Sequence, residues 1–312
     1  MAEPVALTAL VLDTAIGWPT ALYARFGHPV GLFARIIDRC ERRWNRPERP
    51  ERERQLLGIT TLCLLIGVAG GFALLVQIVI LHLCGPSGWP LLSLLAFPAL
   101  AQRSLFDHVC AVANTLAKGD LGEAQRAVGM IVGRDTETLD ESGVARAAIE
   151  SLAESFCDGI AAPLLWLLVL GLPGIWAYKA INTADSLIGH REERWRAFGW
   201  AAARADDILN LLPARIGGAV ICVAAWGGWR TMIRDARKHA SPNAGWTEAA
   251  MAGALDLRLA GPIAYDGASH HKPWIGDSRN TADARDIERA LTIYIRACLL
   301  LWMIAGAAAW LL

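Results

Sequence analysis

Neither sign of charge predominates in this chain. Thirty Lys and Arg face thirty Asp and Glu, for a formal net charge of +0, so the basic footprint of a nucleic-acid-binding protein is missing. The 7 Cys are odd in number, scattered and without a CxxC pair, which argues against a disulfide framework or a zinc site. The 7 His show no spacing for a metal ligand set. No GxxxxGKS/T occurs, no GxGxxG follows a strand-like run, and HExxH and GxSxG are absent. Any nucleotide has to be held in another way. The opening "MAEPVALTALVLDTAIGWP" lacks a basic n-region, and Asp13 interrupts its apolar run. A cleaved signal peptide is therefore disfavoured against an N-terminal membrane segment.

Apolar residues are what the chain has in excess. They make up 54% of its 312 residues, and charged residues only 19%, where soluble proteins average roughly 45–50% and 25%. The 13 Trp against 4 Tyr fit a membrane chain, because Trp favours the membrane interface. "LLGITTLCLLIGVAGGFALLVQIVILHL" (56–83) carries no formal charge and exceeds the roughly 20 residues a bilayer needs. Residues 5–24, 91–101 and 290–312 are further candidate segments. Two more, 160–178 and 211–229, are interrupted by Gly-Leu-Pro-Gly and by Arg215. If both crossed fully, the polar segments flanking them would fall on opposite faces. At least one is therefore expected to be re-entrant or a hairpin, which protein cover permits at membrane depth. The expected fold is an all-α, polytopic membrane protein with roughly 4–6 segments, forming a single membrane domain over 1–312. Eight Arg lie between Arg35 and Arg54, so residues 35–55 read as a basic cytoplasmic loop or amphipathic surface segment. Residues 102–158 read as polar helices with caps at Asp120 and at Thr138 or Asp140, and 230–289 as a polar loop region.

The chemistry-bearing residues cluster beside the apolar stretches. In "AIESLAESFCDG", Glu150, Glu154 and Asp158 recur every four residues, which stacks three like charges on one helix face. A solvated face with an Arg146–Glu150 pair accounts for them equally well. So does a Mg²⁺ site, since that ion prefers carboxylate oxygens. "GRDTETLD" supplies Arg134, whose fork suits phosphate or carboxylate, although a surface turn explains the triplet too. In "YKAINTADSLIGH", Lys179, Asn182 or Thr183, and Ser186 share a face with Asp185 beside it. Arg204, Asp207 and Arg215 follow, with Asp206 and Asn210 at i,i+4. Charges near membrane segments are costly and mark function by default. "SPNAGWTEAAMAGAL" offers Ser241 and Asn243 in a turn composition. "KPWIGD" (272–277) closes the set. His28 is a lone candidate, and His270-His271 reads as a solvated loop.

Taken together, "GHPVGLFARIID", "GRDTETLD", "AIESLAESFCDGIAAPLLW", "GIWAYKAINTADSLIGH", "FGWAAARADDILNLLPAR", "SPNAGWTEAAMAGAL" and "KPWIGD" closely resemble the CobD/CbiB family. Its members are the membrane-bound adenosylcobinamide-phosphate synthases of cobalamin biosynthesis. The blocks keep the family's order over most of residues 10–280. Two departures stand out: Ser155 where the family often has Asn, and Thr247 where it often has Pro. The first puts in doubt a role for an amide at that position. The resemblance implies an ATP-dependent ligase in the cell inner membrane, with its active-site loops in the cytoplasm. It would join the carboxylate of adenosylcobyric acid to the amine of aminopropanol phosphate, or a close amino-alcohol phosphate, with ATP and Mg²⁺. The roles that follow are expectations. Glu150, Glu154 and Asp158 hold Mg²⁺. Arg134, Lys179, Arg204 and Arg215 contact phosphates. Asp185 or Asp207 binds a second Mg²⁺ or receives the amine's proton. Asn182, Ser241 and Asn243 position substrate. A transporter is the main rival; it predicts symmetry between the two halves of the chain, and none is visible. A catalytically silent membrane sensor of the same fold would not need the whole polar set.

Overall fold

The computed structural model describes residues 4–311 apart from 134, 262, 266, 267, 271 and 272, with the side chains of residues 20, 26, 263–265 and 268–270 left aside. The chain is an all-α polytopic membrane protein. Among the described residues three helical runs, Glu51–Ala117, Glu141–Ile188 and Ala284–Leu311, are long and apolar enough to cross a bilayer, or up to five if two bent helix pairs each count as one. The first run contains a window of mean hydropathy 2.6 of which only 17% is buried within the protein. An apolar surface that protein leaves uncovered is one that lipid covers. The chain divides into two compact units: Met1–Ala101 with Ala162–Asn210 and Ala305–Leu312, and Gln102–Ala161 with Leu211–Ile304.

In the first unit, α1 (Val5–Ile16), α2 (Thr20–Phe26), α3 (Val30–Trp44), α4 (Glu51–Cys84) and α5 (Trp89–Ala96) precede α9 (Ala162–Ile188), α10 (Glu193–Arg196) and α11 (Trp200–Leu209). The basic stretch 35–55 is a loop only at 45–50; the rest is helix. The reason lies in Phe33, Ile37 and Cys40, spaced so that one face of α3 is buried against Leu62, Leu65 and Ile181 while the arginines face outward. Arg194 forks onto the buried Glu41 at 2.9 and 3.0 Å and fixes the α10 segment to α3. The return span expected at 91–101 is not one: α5 has 8 residues, about 12 Å at 1.5 Å per residue, too short for a bilayer. Within α9, Gly171 takes φ 69° and ψ −152°, a conformation that glycine adopts without strain. A Cβ on Gly174 would meet the Trp166 carbonyl oxygen at 2.3 Å. A straight helix would separate these positions by about 12 Å, so α9 bends sharply at Gly171–Pro173. The Leu172 N–H freed there donates to Gln77 Oε1 of α4 at 2.8 Å.

The second unit holds α6 (Gln102–Ala117), α7 (Leu121–Gly129), α8 (Glu141–Phe156), α12 (Leu211–Ala225), α13 (Trp229–Asp235), α14 (Ala244–Leu255) and most of α15 (Ala284–Leu311). Asp120 caps α7 by accepting the Glu123 N–H, and Asp140, rather than Thr138, caps α8 by accepting the Gly143 N–H at 2.6 Å. α8 ends in a π turn, Cys157–Ala161. Residues 230–289 are not a loop region. They contain α13, the largely buried α14 and two short antiparallel ribbons, β1 (Leu259–Ala260) with β4 (Trp274–Ile275) and β2 (Ile263–Tyr265) with β3 (Ala268–His270). α14 is rich in Ala and Gly, and such small side chains let it pack closely against α12: Gly217 lies beside Thr247, and Gly218 beside the Trp246 backbone.

Candidate functional site

Two polar constellations form on this frame, one in each unit. In the first, Tyr178 and Asn182 lie four apart on α9, and Asp206 and Asn210 lie four apart on and just after α11, so each pair shares a helix face. The pairs interlock. Tyr178 Oη donates to Asn210 Oδ1 (3.0 Å), Asn182 Nδ2 to Asp206 Oδ1 (3.2 Å) and Asn210 Nδ2 to Asp206 Oδ2 (2.9 Å). All four residues are buried. A carboxylate at a helix centre in the bilayer costs roughly 2.5–3.5 kcal/mol on insertion scales. Two hydrogen bonds to a charged group return about 1.5–3 kcal/mol each, so the network holds the charge without a large net gain.

Lys179 is half-buried, and its ammonium acts electrostatically on both Asp206 and His28. His28 packs edge-on against Trp18 and accepts the Val30 N–H at Nδ1. Asp185 stands half-buried one turn before the end of α9, where its carbonyl accepts the Gly189 N–H at 2.7 Å. Arg204 is exposed and donates to Asp207 at 3.3 Å. Of the residues expected from sequence in this unit, Asn182 bonds to Asp206, Lys179 acts on it electrostatically, and Arg204 and Asp207 pair with each other on the more exposed side. Sequence reasoning gave Asp206 only an i,i+4 relation to Asn210. The matching spacing of Tyr178 and Asn182 was the available signal.

The second constellation joins α12 to the start of α14. Arg215 Nη1 donates to Asn243 Oδ1 (3.2 Å) and to the Leu211 carbonyl (2.6 Å), and its guanidinium lies 4.8 Å over the Trp246 ring. Ser241 Oγ accepts the Asn243 and Ala244 N–H groups at 3.2 and 3.3 Å. His239 Nδ1 accepts the Ser241 N–H (3.0 Å), and its Nε2 faces the buried Glu248 at 3.5 Å. Arg215, Ser241 and Asn243, separated by up to 28 positions, are thus brought together. Stacking on Trp246 holds the Arg215 fork in one orientation, as anion recognition requires. Arg134 lies outside the described residues, as do Lys272 of "KPWIGD" and His271.

The acids of "AIESLAESFCDG" are also in the second unit. Glu150 Oε1 accepts the Ala260 N–H of β1 at 2.9 Å. Glu154 is exposed, and Asp158 is half-buried within the π turn, whose i→i+5 spacing moves it off the row that an unbroken helix would give. Among the described residues no group of three or more His, Cys, Asp or Glu is placed to hold a metal ion. Mg²⁺ commonly takes one or two carboxylates and completes its shell with water and phosphate. By that criterion Glu154 and Asp158 are donors of the right class. Arg146, their neighbour on α8, donates to Ser142 (2.8 Å) and the Asn280 carbonyl (2.6 Å) and lies 5.6 Å over Trp274.

Part of "KPWIGD" has a structural explanation. Arg234 forks onto the fully buried Asp235 at 2.7 Å twice, Lys238 pairs with it at 2.8 Å, and the Gly276 N–H donates to it at 2.8 Å. Arg234 also reaches Asp277 at 2.5 Å. These bonds, Arg234 first, hold the Asp235 carboxyl well below the usual carboxylate range. Arg234 lowers Asp277 as well.

The CobD/Cbib protein family model matches residues 6–294. A cobalamin biosynthesis protein CobD of Rhodobacter capsulatus is 49% identical over 309 residues, covering 97% of this chain and 96% of its own. That of a Sinorhizobium species is 46% identical over 300 residues, with 93% of each covered. The protein of the same name in Brucella suis biovar 1 is 43% identical over 296 residues, covering 92% and 90%. No solved structure matches. With the family model spanning nearly the whole chain and relatives approaching half identity end to end, the chain belongs to the CobD/CbiB family.

Proposed function

We propose that this protein acts in cobalamin biosynthesis as an ATP-dependent ligase, joining adenosylcobyric acid to (R)-1-amino-2-propanol phosphate, or a close amino-alcohol phosphate, to give adenosylcobinamide phosphate. The relatives named for cobalamin biosynthesis support the pathway. The observation that carries the chemistry is the constellation of Arg215, Asn243 and Trp246: an oriented cationic fork beside the start of α14, the equipment for a phosphate.

A carboxylate is a poor electrophile and needs activation. An oxygen of the corrin carboxylate attacks the γ-phosphorus of ATP, the bond to the β-phosphate oxygen breaks, and ADP leaves with the electron pair. The amine nitrogen then attacks the acyl carbon, the carbon–oxygen bond to phosphate breaks, and the amine's proton passes to a carboxylate. Arg134, Lys179, Arg204 and Arg215 hold phosphate oxygens of ATP or of the amino-alcohol through charge-assisted hydrogen bonds. Asn182, Ser241 and Asn243 orient substrate. Asp185 or Asp207 receives the proton or holds a second Mg²⁺. Glu154 and Asp158, with Glu150 beside them, would hold Mg²⁺, which neutralises phosphate charge when bound. The protein resides in the cell inner membrane with the basic segment 35–55 facing the cytoplasm.

The test is corrinoid mass spectrometry on detergent-purified protein supplied with adenosylcobyric acid, the amino-alcohol phosphate, ATP and Mg²⁺. The expected product carries both the aminopropanol and its phosphate, and forms only with ATP. An unchanged corrinoid mass refutes the reading. Competition with ethanolamine phosphate identifies the preferred amine.

A further inference from the structure

Asp206 differs from the other buried acids whose hydrogen bonds are described above. Its two oxygens accept from neutral carboxamides, Asn182 at 3.2 Å and Asn210 at 2.9 Å. A carboxylate only accepts hydrogen bonds, so each amide must turn its NH₂ edge toward it. For Asn210 the Tyr178 hydroxyl, donating to Oδ1 at 3.0 Å, confirms that orientation from the other side. Asn182 is thereby fixed with its Oδ1 pointing away from Asp206. The same carboxylate supplies a negative charge to the electrostatic environment of Lys179.

A purely structural clamp between α9 and α11 would not require an ion there: apolar pairs hold helices together as well as buried charges do. Asp207, the neighbouring acid, lies about 100° further round the helix and pairs with Arg204, so it cannot replace Asp206 in this network. We propose that Asp206 is a positioning residue of the ligase reaction, which sets the orientation of the Asn182 carboxamide and the electrostatic environment of the Lys179 ammonium, both of which act on substrate. This rests on the ligase reading above and adds to it a residue that the sequence treated only as a helix neighbour.

The experiment compares Asp206→Asn, Asn182→Ala and the double variant in the full-length, detergent-purified protein. Two readouts are used: ATP-dependent ligation, and the rate at which an amine-reactive reagent labels Lys179, followed by peptide mass spectrometry. Asparagine keeps the shape of aspartate but sets its own NH₂ against one of the two amides, so folding is followed by the unfolding midpoint, which is expected to fall by a few degrees at most while the protein stays folded at the assay temperature. Asp206→Asn is expected to lower kcat about 10–100-fold, with KM for ATP changed less than about threefold. It is also expected to raise Lys179 labelling at least about threefold, because the adjacent negative charge is gone. The double variant should be no slower than the slower single one, since the two residues act through one link.

Wild-type kcat in Asp206→Asn overturns the proposal. So does unchanged Lys179 labelling, or a double variant whose losses multiply. A loss of activity that simply follows a lower unfolding midpoint assigns the network to structure and also overturns it. A wild-type protein that never ligates refutes the ligase reading itself, and with it a catalytic purpose for Asp206. The labelling arm separates that failure from a missing Asp206–Lys179 link.

Discussion

Replacing Asp235 with Ala removes the anchor between α13 and the bend after β4, which begins at Gly276. Asp235 is fully buried and accepts the Gly276 N–H at 2.8 Å. Gly276 itself sits at φ 92°, and a Cβ there would meet the Leu257 carbonyl oxygen at 2.2 Å. The bend therefore cannot easily move to find this N–H another partner. The cations fare better: Arg234 and Lys238 are 37% and 41% exposed, and Arg234 keeps Asp277, so both can rehydrate. The main loss is a charge-assisted hydrogen bond and the orphaned N–H behind it, about 2–3 kcal/mol. For a unit of this size that corresponds to roughly 5–10 °C in the unfolding midpoint. Intrinsic Trp fluorescence of the full chain in detergent reads it, as does protease sensitivity near Trp274.

The pH dependence adds a sign. Because Arg234 and its neighbours hold the Asp235 carboxyl below its ordinary range, its contribution is fully present above the unfolded value of about 4 and is lost as pH falls through the folded value. The gap between wild type and Asp235→Ala should thus be constant from about pH 8 to pH 5 and close only below about pH 4. Equal midpoints at pH 7, or a gap that already narrows between pH 8 and pH 6, would refute the reasoning.

Three further outcomes follow from the geometry. Arg215→Lys keeps the charge but loses the fork and the stack on Trp246, so half-saturation for ATP or for the amino-alcohol phosphate should rise about tenfold; unchanged saturation curves for both would exclude Arg215 from phosphate contact. Glu154→Gln should raise the Mg²⁺ concentration for half-maximal ligation by about tenfold, and full activity at limiting Mg²⁺ counts heavily against the metal assignment. Gln77→Leu strands the Leu172 N–H at the α9 break, a cost of about 1–3 kcal/mol; an unfolding midpoint equal to that of the wild type would show that the bend finds another partner.

What the sequence reveals depends on how local the physics is. α4 and α15 are legible from length and apolarity alone. The caps at Asp120 and Asp140 are legible because capping is decided within three residues. α14 is not, because a run of Ala, Gly and Met buried on nearly every side has no amphipathic contrast. Strands of two and three residues carry no readable period either. The acid row over Glu150, Glu154 and Asp158 assumes an unbroken helix, and nothing local announces the π turn that displaces Asp158. The gathering of Arg215 with Ser241 and Asn243 was foreseen only as a shared chemistry. Their contact depends on packing between α12 and α14, which no spacing rule supplies.

Hydropathy says that a charge near a membrane segment is costly, but not whether the cost serves the fold or the chemistry. The partners make that distinction. Asp235 is ringed by Arg234 and Lys238, and the buried Asp286 by Arg279 and Arg289. In both, opposite charges neutralise the carboxylate locally, and the group works as a clasp between segments. Asp206 is held by two neutral amides, which stabilise the ion through dipoles and leave its net charge in place. A negative charge kept unneutralised by its own hydrogen bonds still acts on nearby cations. Within the first unit it interacts electrostatically with the Lys179 ammonium. On this ground we assign Asp206 to the proposed machinery and Asp235 to the frame, though a sequence records both as an Asp in the last turn of a short helix.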